Sequence, residues 1–156
     1  MSKARSLLLV VDASVARSAG ETEHPISSAC RRYLLAVQGI CHRVAVTDEI
    51  LAEWKKHQSR FTRKWRVSMA ARQKPLTHVQ PVSTGLDLQT FTPPHRDAVE
   101  KDLCLLEAAL SADKVIVTRD DKLQKSLEST PEGDRLRGRY VWHNPLTHGE
   151  ESLRTL

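Results

Sequence analysis

The chain has 156 residues, 40% of them hydrophobic and 28% charged, proportions that exclude a disordered, collagen-like or fibrous protein. This length accommodates one compact domain with a core of its own, so one site must carry the function. Lysine and arginine number 24 against 19 acidic residues, a formal net charge of +5, which favours a polyanionic partner without identifying it.

In chain order, Met1 to Ser6 has two basic residues, but the apolar segment behind it is too short and too quickly acidic for a signal peptide. The longest apolar run, Leu7 to Val11, stops at Asp12, far below the roughly 18 residues of a spanning helix. A soluble protein is expected. The stretch Ser6 to Asp12 has the pattern of a strand buried on both faces of a parallel sheet. Pro25 through Gln38 carries Ile26, Cys30, Tyr33, Leu34 and Val37 at helical spacing. A short strand over 43–47 then leads to helices over 48–58 and 60–73.

The stretch from Pro75 to Pro94 holds four of the seven prolines and reads as a loop around one short strand at 78–82. A helix is predicted over 97–112, a strand over 114–118, a helix over 121–129 and a strand over 139–143, closed by Asn144 and Pro145. Residues 147–156 read as a surface tail. Strands alternating with helices predict an α/β fold over 1–156: one domain with a central parallel sheet of about five strands and helices on both faces. Cys30, Cys41 and Cys104 are an odd number without C-x-x-C spacing. They suggest neither a disulfide framework nor a zinc site, and read as reduced core residues of a cytoplasmic protein.

From Trp54 to Leu86 there is no acidic residue, yet Lys55, Lys56, Arg60, Arg63, Lys64, Arg66, Arg72 and Lys74 fall within it. Trp54, Phe61 and Trp65 recur among them at spacings that place three rings on one helical stripe. Two readings stand for this basic segment, 55–74. One is an amphipathic helix with aromatics inward and a solvated basic face outward. The other is a face that neutralises nucleic-acid phosphates and releases their counterions.

Ligands of an open parallel sheet bind beyond the carboxyl ends of its strands, near the point where strand order reverses. Asp12 ends the first buried strand and Asp120 follows the penultimate one, so the two converge if those strands are neighbours. Either could instead cap a helix or close a turn. Asp102 shares a helical face with Val99, Leu106 and Ala109, where an ionised carboxylate needs a partner, an arginine or a metal. Glu53 flanks the face made by Ile50, Leu51 and Trp54, whereas Glu49 points further away; alone, Glu53 would be a surface residue.

If four carboxylates gather, two charges about 5 Å apart repel by about 3 kcal/mol at an effective dielectric near 20. Some must then take protons, or a cation must enter. Oxygen ligands without a Cys and His set favour Mg²⁺ or Mn²⁺, ions that activate water and stabilise the leaving oxygen of a phosphodiester. Competing motifs are absent: no G-x-G-x-x-G, no phosphate-loop lysine, no G-x-S-x-G and no H-E-x-x-H. Asp12-Ala-Ser14 lacks the second acid of an aspartyl phosphotransferase. His57, one turn after Glu53, reads as a packing or exposed residue.

These residues resemble the PIN-domain nucleases, which include the VapC-type toxins of toxin-antitoxin pairs. The resemblance rests on Leu8-Leu-Val-Val-Asp12-Ala-Ser14, Thr47-Asp-Glu-Ile-Leu-Ala-Glu53-Trp54, Asp102-Leu-Cys-Leu-Leu-Glu-Ala-Ala-Leu110 and Val115-Ile-Val-Thr118-Arg-Asp120. It implies a Rossmann-like PIN domain, a divalent-metal site and hydrolysis of RNA. Asp12, Glu53, Asp102 and Asp120 match the family's acidic site, and Ser14 and Thr118 its nearby hydroxyl positions. Asp121 is a substitute or additional acid. The basic segment and the proline-bearing stretch depart from small VapC-type toxins.

The leading expectation is therefore an endoribonuclease dependent on Mg²⁺ or Mn²⁺, with an antitoxin and a homodimer as partners the resemblance permits. In it Lys55, Lys56, Arg60, Arg63, Lys64 and Arg66 hold RNA. The alternative is a catalytically inactive domain of the same fold that binds RNA or protein.

Overall fold

Three runs of valine, leucine and isoleucine form the centre of a parallel sheet. The computed structural model describes residues 6–156, apart from the side chain of Glu150; residues 1–5, and with them most of the stretch judged unlike a signal peptide, lie outside it. Strands β1 (Leu8–Val11), β2 (Arg43–Val46), β3 (Thr77–His78), β4 (Val115–Val117) and β5 (Val141–His143) lie in the order β3-β2-β1-β4-β5, every pairing parallel. Leu9, Val10, Val11 and Ile116 have no exposed surface, as expected of strands covered on both faces. This is the expected α/β class: a Rossmann-like sheet with helices around it.

The helices are α1 (Ala13–Ser18), α2 (Pro25–Ile40), α3 (Asp48–His57), α4 (Arg60–Ala71), α5 (Pro93–Lys101), α6 (Leu103–Leu110), α7 (Lys122–Glu128), α8 (Pro131–Arg137) and α9 (Glu150–Arg154). Right-handed crossovers move outward one way through β2 and β3, and the other way through β4 and β5. The two sets of helices therefore take opposite faces. In agreement, α2 packs with α1, α4 and α9, while α7 packs with α5 and α8. Strand order reverses between β1 and β4.

Four expectations are corrected. The helix over 97–112 is two helices, since Asp102 leaves helical geometry at φ −110° and ψ 16°, closing α5 and opening α6. The first of them begins earlier, at Pro93, because proline suits a first helical turn. The tail 147–156 contains α9, whose Leu153 is buried, and its carbonyl meets the ring of buried His42. The cysteines are all free, but only Cys30 is a core residue; Cys41 is exposed and Cys104 half-buried. The aromatic stripe does not run along one helix, because the chain leaves α3 at Gln58 before α4 starts. Trp54 and Trp65 meet across that junction with ring centroids 6.3 Å apart, and Phe61 is partly buried beside the core.

Candidate active site at the switch point

Because β1 and β4 are neighbours, their carboxyl ends bring Asp12 and the Thr118–Asp120 segment together. Asp12 adopts the backbone conformation of a helix cap before α1, yet its side chain caps nothing. Its Oδ2 instead accepts from Ser14 Oγ at 2.7 Å and from Thr118 Oγ1 at 3.0 Å. Both hydroxyls also accept from the segment that follows β4: Asp120 N–H donates to Thr118 Oγ1 at 3.1 Å, and Arg119 N–H to Ser14 Oγ at 3.4 Å. Two small hydroxyl residues thus brace both strand ends around one carboxylate.

Helix α3 is fixed to the same end by its indole. Trp54 Nε1 donates to the Val11 carbonyl at 2.8 Å from a fully buried position, which orients the adjacent turns carrying Glu49 and Glu53. A cavity of about 780 Å³ opens there, and Asp12, Glu53, Asp102, Asp120 and Ser14 all line it. Thr118 is buried just beneath. Asp121, the additional acid, is exposed and does not line the cavity.

The four acids face the cavity in different states. Burial pushes the Asp102 carboxyl up to about 6, and the charges of Asp12, Asp120 and Glu53 push the same way against Lys101. No arginine pairs with it among the described residues, so the structural pairing open to it in the sequence is not made. Asp120 Oδ1 accepts from Lys122 N–H at 2.9 Å, so this acid does close the turn into α7. Glu53 is exposed and pairs with His57 Nε2 at 3.4 Å, one turn along α3. The donors suit a hard divalent cation in chemistry. In position they stand apart: among the described residues, no three His, Cys, Asp or Glu side chains group closely enough to hold one ion.

Several lining residues escaped the sequence reading. Glu49 also lines the cavity, four residues before Glu53 and so on the same helical edge. A search for core-facing acids passes over it, whereas a search for acids at strand ends finds it. Cys104 lines the wall as a neutral thiol, pushed up to about 12 by burial and by Glu49, Asp102 and Asp12. Arg17, Lys101, Arg119 and Lys122 add positive charge to the same cavity. Three of these adjoin or nearly adjoin a candidate acid in sequence, which was the available signal.

The basic segment divides. Lys55, Lys56, Arg60, Arg63 and Lys64 are exposed, with Lys64 reaching Glu21 at 3.5 Å. Arg66 turns inward to donate to Gln58 Oε1 at 3.0 Å, its Nε buried. No protein-family model, curated protein or solved structure matches the chain.

Proposed function

We propose that the chain is a PIN-like endoribonuclease that hydrolyses RNA phosphodiester bonds with Mg²⁺ or Mn²⁺. The observation that carries this reading is the placement of Asp12, Glu53, Asp102 and Asp120 around one cavity at the reversal of strand order, where burial, and after it the charges of the other three acids, push the Asp102 carboxyl up. A divalent cation relieves such repulsion. Asp12, Asp102 and Asp120, which stand apart in this structure, would have to draw together to hold it, with Glu53 completing the set or positioning the attacking water. Bound there, the ion supplies charge neutralisation, acidified water and a template for in-line displacement.

The chain's own residues prepare the site. Ser14 and Thr118 both donate to Oδ2 of Asp12, which leaves Oδ1 without a protein hydrogen bond among the described residues. Trp54 holds α3, and thereby Glu53, against the end of β1. Lys55, Lys56, Arg60, Arg63 and Lys64 are exposed on α3 and α4 after cavity-lining Glu53, where they would attract RNA phosphates.

The test is cleavage of single-stranded and structured RNA by the purified chain with Mg²⁺ or Mn²⁺. EDTA should stop it, and Asp12→Asn should abolish it while leaving far-UV circular dichroism intact. Equal cleavage by the rigorously purified variant overturns the assignment. A toxin role within this chemistry expects growth arrest on expression, relieved by a cognate small antitoxin; normal growth with an active enzyme removes that role.

One observation favours the noncatalytic alternative: the acids stand apart, with Asp120 engaged in a turn and Glu53 with His57. That reading expects RNA binding without cleavage under every divalent metal tried.

A further inference from the structure

The cavity contains two kinds of charge that do not pair. Arg17, Lys101, Arg119 and Lys122 line it together with five carboxylates, yet among the described residues none of these four cations forms an ion pair. Lys101 favours the ionised form of Asp102 at a distance, but none of the four comes within ion-pair reach of a described acid, so their donors stay open to another anion.

Arg119 is the anchored member. It lies between Thr118 and Asp120, so its backbone belongs to the same brace that fixes Asp12. Its N–H points to Ser14 Oγ, and its carbonyl accepts from Asn144 Nδ2 at 3.1 Å. The guanidinium reaches one protein acceptor among the described residues, Ser18 Oγ, from Nη1 at 2.5 Å. A guanidinium carries five N–H donors in a planar fork, suited to two oxygens of one phosphate. Nε is buried without a partner and one Nη1 hydrogen goes to Ser18, so the donors left for a ligand are the remaining ones on the two terminal nitrogens. A single hydroxyl tether fixes the head without neutralising it.

We propose that Arg119 binds a backbone phosphate of single-stranded RNA beside the acidic site, with Arg17, Lys101 and Lys122 forming the rest of a phosphate-binding wall. This rests on the ribonuclease reading for the identity of the polyanion. The acids and the cations of the cavity then have separate tasks: one set faces a metal, the other the strand. The wall also sets the strand's register, because Arg119 cannot move along the chain relative to Asp120.

The experiment measures fluorescence anisotropy of a labelled short single-stranded oligoribonucleotide with the full chain in EDTA, so that binding is read without cleavage. Arg119→Gln should weaken binding about tenfold and lower the slope of log affinity against log salt by about 0.7, the change expected when one phosphate of a single strand is no longer neutralised. Arg119→Lys should retain the slope and still bind more weakly than wild type, because charge survives and the fork does not. Ser18→Ala, which cuts the tether and keeps the charge, should retain the slope as well.

Unchanged affinity and slope in Arg119→Gln overturn the proposal. Should that variant misfold by circular dichroism, Arg119→Lys decides, and binding equal to wild type overturns it. Absence of cleavage by the wild-type chain under Mg²⁺ or Mn²⁺ sinks the ribonuclease reading while leaving this binding result standing. Wild-type cleavage with an unaffected Arg119→Gln does the reverse.

Discussion

The two ends of β1 engage the aspartates beside them in opposite ways. At the amino end, Asp113 Oδ2 accepts from Leu8 N–H at 2.7 Å, and His42 Nδ1 accepts from Leu7 N–H at 2.9 Å while its other nitrogen faces the Leu153 carbonyl. Each side chain satisfies backbone that the sheet leaves open as β1 begins. At the carboxyl end the neighbouring strand already does this, since Asp12 N–H donates to the Val117 carbonyl at 2.8 Å. The Asp12 carboxylate then meets only hydroxyls. Position along the strand, more than residue type, separates an aspartate that closes open backbone from one that faces the cavity.

The largest break in this comparison is expected from a pair of matched substitutions. Asp12→Asn should lower cleavage by roughly 10³ or more, the scale of losing a metal-site acid, with little change in melting temperature. Asp113→Asn, whose amide oxygen can still accept from Leu8 N–H, should leave cleavage within about twofold and cost at most about 1 kcal/mol of stability, the scale of one hydrogen bond. Activity assays and denaturant unfolding check both; if both lower cleavage alike, the division between the ends is wrong. His42→Ala should cost about 2 to 4 kcal/mol by unfolding, because it leaves a cavity in the core and an unpaired N–H. It should also expose α9 to limited proteolysis.

The carboxyl end offers its own contrast, between buried His143 and half-buried Asp102. His143 ends β5 with its Nδ1 hydrogen bonded to Tyr33 Oη at 2.8 Å, and burial, helped by stacked His148, pushes its pKa down to about 4 from 6.5. The neutral ring is the form that folds. Its contribution is complete above pH 6.5 and is lost as pH falls towards about 4, up to about 3 kcal/mol. Asp102 behaves oppositely: with its pKa raised to about 6 from 3.8, its ionised form costs stability above that window, and the cost vanishes as pH falls through it.

His143→Gln should therefore flatten the acid loss of stability. Asp102→Asn, in EDTA, should raise stability at pH 7.5 by about 1 to 3 kcal/mol, with the gain gone near pH 4. His42, also pushed down by burial, remains in both variants and cancels in each comparison with wild type. Thermal melts across pH check the two curves, and parallel curves would refute the opposite assignments.

How much of this was legible follows from which signals are local. Val10-Val11-Asp12 and Ile116-Val117-Thr118 announce buried strands ending in polar residues, and the rule for parallel sheets then brings Asp12 and Asp120 together. The break at Asp102 was hidden because apolar periodicity continues across it, and no glycine or proline marks the corner. Helix α1, Ala-Ser-Val-Ala-Arg-Ser, is too short to show a period. Glu49 and Arg119 were overlooked because burial was the criterion, whereas a cavity at strand ends is lined by residues beside the core. The separation of the acids is also illegible: spacing sets His57 one turn after Glu53 and lets Asp120 close a turn, yet it does not say that these local partners are taken.

The smallest expected effect lies on α4, where sequence alone treats every cation alike. Arg60 and Arg63 are exposed, free to turn towards a phosphate arriving from solvent. Arg66 is half-buried, donates to Gln58, and has its basicity lowered by burial. Arg60→Gln with Arg63→Gln should reduce the salt dependence of RNA binding by about 0.7 for each phosphate that is no longer neutralised. Arg66→Gln should leave that slope unchanged and lower stability by no more than about 1 kcal/mol, by removing the bond that holds the start of α4 to the end of α3. Salt titration of binding beside thermal melts distinguishes these outcomes. If Arg66→Gln flattened the slope while Arg60 and Arg63 did not, RNA would approach through the α3–α4 corner instead of across the exposed face.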